Sequence, residues 1–220
     1  MKAGPAGTGL YMVNWPSPTG FKATSSMAVL LETNLSPRIG EFNVGGPIGD
    51  INPYVAYNSS GPVDEFLFVY PKLNPDRIFG RLLLNNPAVC GTGWCYRGPE
   101  FQISNNPGKY EAVVPRVRSN SCPGAVVDRC FLVGWIDFSA QGGDSQWGKL
   151  VGFDGSLGPQ GQPLFDSSAV TTQKGKWVGL VNRRGGDTTA WAWADRRGGN
   201  STEEDIYSDW WNIDSPPPPP

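Results

Sequence analysis

The sequence predicts an all-β fold, with about eleven short strands in a β-sandwich or barrel-like single domain with long loops. Three observations carry that expectation. Short runs rich in Val, Phe, Tyr and Trp recur along the chain, bounded by clusters of Gly, Pro, Asn and Asp. The 29 glycines and 21 prolines interrupt nearly every window long enough for a capped amphipathic helix. A length of 220 residues suffices to bury one large core.

The strands are expected in this order. Leu10–Trp15, Met27–Thr33 and Tyr54–Tyr57 are short aromatic and β-branched runs. In Glu65–Tyr70, period-two alternation puts Phe66, Phe68 and Tyr70 on one face, as for aromatics that fill a core between sheets. Arg77–Leu84 ends in Leu82-Leu83-Leu84, which does not alternate and so predicts a strand covered on both faces. Tyr110–Val117 follows the turn signal Asn106-Pro107-Gly108. Cys130–Phe138 contains a second non-alternating run, Phe131-Leu132-Val133, and precedes Gly142-Gly143-Asp144. Such doubly covered strands sit centrally in a packed structure or at a subunit interface. Lys149–Phe153, Ala169–Thr172, Trp177–Asn182 and Thr189–Ala194 complete the set. In the last, Trp191 and Trp193 share one face, either as core or as an aromatic platform for a sugar or partner.

Residues 1–9 read as a flexible lead-in and 10–202 as the β-domain. Residues 203–220 read as an acidic, aromatic tail that ends in five prolines, a stiff polyproline II run unable to join a sheet. Before the prolines, the segment either docks Trp210 and Trp211 on the body or begins an acidic linker. Five of the 20 acidic residues lie in this tail, leaving residues 1–202 with 18 basic against 15 acidic side chains. No basic stripe is long enough for a nucleic-acid footprint. Neither a run of roughly 20 apolar residues nor a secretory apolar stretch is present, so membrane insertion is not expected.

Histidine is absent from the chain, which removes the usual general base, the usual proton shuttle and the commonest zinc ligand. A Ser, Cys or Thr nucleophile therefore lacks its customary activating partner. Trp94 and Tyr96 beside Cys95 point to packing rather than reactivity, with Arg97 the one neighbouring cation. The four cysteines form the close pairs Cys90/Cys95 and Cys122/Cys130. Their spacing departs from that of zinc knuckles, which favours structural cysteines, free or disulfide-bonded, in any of three connectivities. Paired carboxylates are the one catalytic arrangement left open, as in glycoside hydrolysis. Asp64, Glu65, Glu100, Glu111, Asp137, Asp154 and Asp195 are the candidates, none within a closely spaced acidic motif. Gly7-Thr8-Gly9 and Gly91-Thr92-Gly93 are too short for phosphate loops, and no EF-hand loop occurs. The expectation is a non-enzymatic protein without cofactor or metal. The sequons at Asn34, Asn58 and Asn200 occur at chance frequency and mark surface loops.

The run Glu203-Glu204-Asp205-Ile206-Tyr207-Ser208-Asp209-Trp210-Trp211 follows the strand-and-loop organisation of residues 10–195. Together they resemble the protruding domain of a non-enveloped virus capsid, and most of all an astrovirus capsid spike. That resemblance implies a homodimer on the virion surface that binds a host cell-surface receptor, protein or glycan, and presents epitopes to neutralising antibodies. Residue chemistry nominates the contact loops, because Trp, Tyr and Arg dominate binding hot spots. They are Trp94, Tyr96 and Arg97; Gln141, Asp144, Gln146 and Trp147; and Arg183, Arg184 and Asp187. The competing expectation is a secreted carbohydrate-binding module or a carboxylate-pair glycosidase.

Overall fold

The computed structural model describes residues 2–3, 10–19, 22–46, 53–58, 64–72, 77–91, 93–104, 111–120, 130–138, 144–157, 165–166, 176–182, 188–195 and 205–212. They form four antiparallel sheets. The first contains β1 (Lys2–Ala3), β2 (Tyr11–Thr19), β3 (Lys22–Leu31) and β4 (Pro37–Gly45), in that spatial order. The second contains β5 (Tyr54–Asn58), β6 (Asp64–Lys72), β7 (Arg77–Asn85) and β8 (Cys95–Tyr96), with β9 (Phe101–Gln102) also paired to β7. One helical turn, α1 (Pro87–Cys90), joins β7 to β8. The third sheet is β10 (Glu111–Asn120), β11 (Cys130–Phe138), β12 (Asp144–Gly152) and β13 (Phe165–Asp166). The fourth is the meander β14 (Lys176–Asn182), β15 (Thr188–Asp195) and β16 (Asp205–Asn212). Its first strand, β14, lies alongside β10 and β11.

The second sheet is the middle layer, and alternation along its strands fills two separate cores. On one face, Val55, Tyr57, Phe66, Phe68, Tyr70 and Leu83 meet Leu10, Met12, Ala28, Leu30 and Val44 of the first sheet. On the other, Ala56, Leu67, Val69, Ile78 and Leu82 meet Val117, Phe131, Val133, Trp135 and Val151 of the third. Strand β6 is therefore buried from Glu65 through Pro71. Burying each large apolar side chain contributes about 1.5–3 kcal/mol, so β6 is the strand most costly to disturb. Phe66, Phe68 and Tyr70 lie in the core, as their shared face predicts. The runs Leu82-Leu83-Leu84 and Phe131-Leu132-Val133 are buried as expected of strands covered on both faces, and the chain's own sheets do the covering. Lys149, fully buried on β12, donates to the Ile103 carbonyl at 2.8 Å, and burial pushes its amine below the ordinary lysine range.

Several strands escape sequence reasoning. Strand β4 opens on Pro37 and contains Gly40, both poor strand formers. It forms because Pro is tolerated as the first residue of a strand and because the tight turn after Glu32 returns the chain beside β3. Pro16 and Pro18 are accommodated within β2 because β1 pairs only with Tyr11 and Met12, so neither proline faces a β1 residue across a ladder that needs its N–H. Within the acidic, aromatic segment expected to be a tail, residues 205–212 instead form β16, which pairs with β15 from Asp195↔Asp205 to Thr188↔Asn212. Its Ile206, Tyr207, Trp210 and Trp211 supply β-forming side chains that outweigh the acids. Residues 169–172 lie outside the described residues, as do the side chains of Trp191 and Trp193.

Candidate functional site

The connection from β7 to β9 builds a fixed, partly apolar edge. Asn86 caps α1, its side-chain oxygen accepting from the Ala88 N–H at 3.0 Å, and Pro87 occupies the first helical turn. The turn ends at Gly91, whose N–H donates to the Pro87 carbonyl at 3.1 Å. A disulfide joins Cys90 to Cys95 and closes the loop. The loop needs Gly91 and Gly93 for backbone at φ +69° and +109°, where a Cβ is disfavoured. Strand β8 then registers Cys95 with Leu84 and Tyr96 with Leu83, and the Arg97 N–H donates to the Leu82 carbonyl at 3.0 Å. Pro87, Ala88 and Val89 stay exposed at the tip, Val89 at 58%. Cys130 is also disulfide-bonded, while Cys122 lies outside the described residues.

Three nominated residues sit together on this edge. Trp94 is half-buried, its ring centroid 5.5 Å from that of Phe66, and its indole N–H has no hydrogen-bond partner among the described residues. The Tyr96 hydroxyl donates to the Asn43 carbonyl at 2.6 Å, and the Arg81 guanidinium lies 3.5 Å from its ring centroid. Burial raises the Tyr96 hydroxyl above its ordinary pKa, with Arg81 pulling the other way. Arg97 covers the Phe153 ring at 4.9 Å. Hydrogen bonds from Ser156 hold Asp154 below the usual carboxylate range against the opposing effect of burial, and the Arg97 charge adds a smaller pull in the same direction.

A second set of charged and aromatic groups lies along the same sheet; the sequence nominated Glu100 in it as a carboxylate candidate and placed Tyr70 on a core face, but nominated neither Lys72 nor Arg81. Glu100 accepts from Lys72 and, at 2.8 Å, from the Tyr70 hydroxyl. Burial raises the Glu100 carboxyl, but these two bonds and the Lys72 and Arg81 charges outweigh it and leave the group below its ordinary value. The Tyr70 hydroxyl is raised by burial and by the facing carboxylate. Lys72 also stands 4.6 Å from the Phe79 ring centroid, and Arg81 donates to the Val44 carbonyl at 3.0 Å. Gly45 is required beside them, since a Cβ there would sit 2.1 Å from the Tyr70 oxygen. Alternation on β7 places Phe79 and Arg81 on one face, and that was the available signal; the partners Glu100 and Val44 are remote in sequence.

The other nominated residues lie elsewhere. Asp144, Gln146 and Trp147 belong to β12 rather than to a loop, in register with Phe138, Ile136 and Trp135 of β11, and their side chains lie outside the described residues. Gln141, Arg183, Arg184 and Asp187 also lie outside them. Of the carboxylates, Asp64 accepts from the Tyr57 hydroxyl at 2.5 Å. Adjacent Glu65, 2% exposed, belongs to the opposite face of the strand, so these two do not face each other. The side chains of Glu111, Asp137 and Asp195 lie outside the described residues. Among the described residues, no helix is long and apolar enough to cross a membrane, and no group of His, Cys, Asp or Glu could hold a metal ion. The arrangement is a set of partly buried aromatic rings with cations placed over Phe79, Tyr96 and Phe153. Comparison with protein-family models, curated proteins and solved structures gives no match for this chain.

Proposed function

We propose that the chain is a non-catalytic attachment domain, the protruding spike of a viral capsid, which binds a host cell-surface receptor and presents its loops to antibodies. The observation that supports this reading is the edge that runs from the loop closed by the Cys90–Cys95 disulfide into Tyr96 and Arg97. It holds an aromatic pair and an arginine on the middle sheet and carries the exposed Val89 beside them. Such a segment enters a complex already ordered, which lowers the entropy cost of binding. Trp, Tyr and Arg are also the side chains that most often dominate interface energetics. The spike identity and its homodimeric state rest on the sequence resemblance. The leucine run at 82–84 supplies no argument for a dimer, since the chain itself buries it.

The test is saturable binding of the fluorescently labelled chain to a panel of animal cell lines, with unlabelled chain as competitor and light scattering for the oligomeric state. The proposal expects competable binding to at least one line and a dimer. Absence of competable binding on every line, or release of reducing sugar from glycoside substrates, would overturn it.

A further inference from the structure

The turn between β3 and β4 carries the sequon Asn34-Leu35-Ser36, with all three residues exposed. The Asn34 side-chain oxygen accepts twice from Ser36, from its N–H at 3.0 Å and from its hydroxyl at 2.6 Å. The turn is closed by the Leu35 N–H on the Glu32 carbonyl and the Glu32 N–H on the Ser36 carbonyl, both at 2.9 Å. An Arg38–Glu32 ion pair at 3.3 Å lies across its base. Leu35 is held at φ 65°, an uncommon left-handed conformation for a branched side chain, and stays 60% exposed. The surrounding hydrogen bonds hold Asn34 in one orientation. Its Oδ1 is engaged, while no hydrogen bond occupies Nδ2 among the described residues. These two donors fix the plane of the carboxamide and leave the Nδ2 side facing away from the turn's hydrogen bonds.

We propose that Asn34 is a site of N-glycosylation, with a lipid-linked oligosaccharyl diphosphate as the donor class. Nδ2 attacks the anomeric carbon of the donor and forms the C–N bond. The C–O bond to the diphosphate breaks, the lipid diphosphate leaves with the bonding electron pair, and Nδ2 gives one proton to a base of the transferase. The step is redox-neutral. An independent observation agrees with the compartment in which such transfer occurs: no described cysteine is free, as in proteins matured in an oxidising lumen. The modification goes beyond the attachment reading, and each stands if the other fails.

The full chain is expressed behind a secretion signal in animal cells, and the exported protein is treated with peptide-N-glycosidase in heavy-oxygen water. Site-resolved mass spectrometry is expected to find Asn34 converted to labelled Asp. Asn34→Gln and Ser36→Ala should lose that mark completely, and Ser36→Thr should keep it. Translation with microsomal membranes gives the same readout if export is low. An unmodified Asn34 in exported or microsome-enclosed protein, or a glycan that survives Ser36→Ala, would overturn the proposal.

Discussion

Replacing both Cys90 and Cys95 with serine tests how the contact edge is held. The disulfide closes a short loop with a sequence separation of 5, for which loop-closure entropy gives about 2 kcal/mol of stabilisation. The rest of the edge is anchored independently, through the pairing of Cys95 with Leu84 and Tyr96 with Leu83 and through the Arg97 N–H on the Leu82 carbonyl. The Trp94 ring also remains on Phe66, in the core shared by the first and second sheets. The double variant should therefore fold and lose about 2 kcal/mol, which for a chain of this size is a fall in Tm of about 4–8 °C. Thermal melting followed by circular dichroism, with a parallel urea titration, measures both quantities. The urea m-value should stay unchanged, because the surface exposed on unfolding is nearly the same. An unaltered Tm would refute the premise that the disulfide stiffens this segment. Loss of all cooperative unfolding would show instead that the disulfide sustains the core.

Other expectations follow from the same geometry. Leu67→Ala and Phe68→Ala open cavities on opposite faces of β6, at about 2–5 and about 3–5 kcal/mol respectively, with urea denaturation as the measurement. Tyr70→Phe removes one donor to Glu100 and should cost about 1 kcal/mol at neutral pH, a figure kept low because the Glu100 side chain is 31% exposed. The folded Glu100 carboxyl sits below its ordinary 4.5, so its contribution is present above the unfolded value and is lost as pH falls through the folded one. Tyr70→Phe should accordingly flatten the acid limb of a stability–pH curve, and an unchanged limb would remove Tyr70 from the network. Gly45→Ala should destabilise strongly, as its Cβ must displace the buried Tyr70 ring, and thermal melting would register the loss.

What the sequence made legible depends on how locally each feature is encoded. The two faces of β6 could be read from alternation alone, because Phe66, Phe68 and Tyr70 obey the same period as Leu67 and Val69. The doubly covered strands were legible in Leu82-Leu83-Leu84 and Phe131-Leu132-Val133 for the opposite reason, because these apolar runs do not alternate. Strand β4 was not, because its Pro37 and Gly40 oppose strand propensity and its position is fixed by pairing with β3. Strand β16 was obscured by its acids, Asp205 and Asp209, which oppose strand propensity although the segment pairs with β15 along its length. At the candidate site, Trp94, Tyr96 and Arg97 stood out by residue type beside a cysteine pair. Glu100 was singled out only as one carboxylate among seven, and Arg81 and Lys72 not at all, since their partnership joins residues far apart in the chain and only folding brings them together.

Equilibrium binding to a receptor-bearing cell line, compared between the wild-type chain, Arg97→Ala and Glu41→Ala, tests most directly whether attachment runs through the disulfide-closed edge. Arg97 belongs to that edge, whereas Glu41 is an exposed residue of β4. Loss of a hot-spot arginine corresponds to about tenfold weaker binding or more. The account expects that loss for Arg97→Ala with a cooperative melt and a fall in Tm of no more than about 4 °C from the lost Phe153 contact, and wild-type affinity for Glu41→Ala. Equal affinity for all three chains would contradict it.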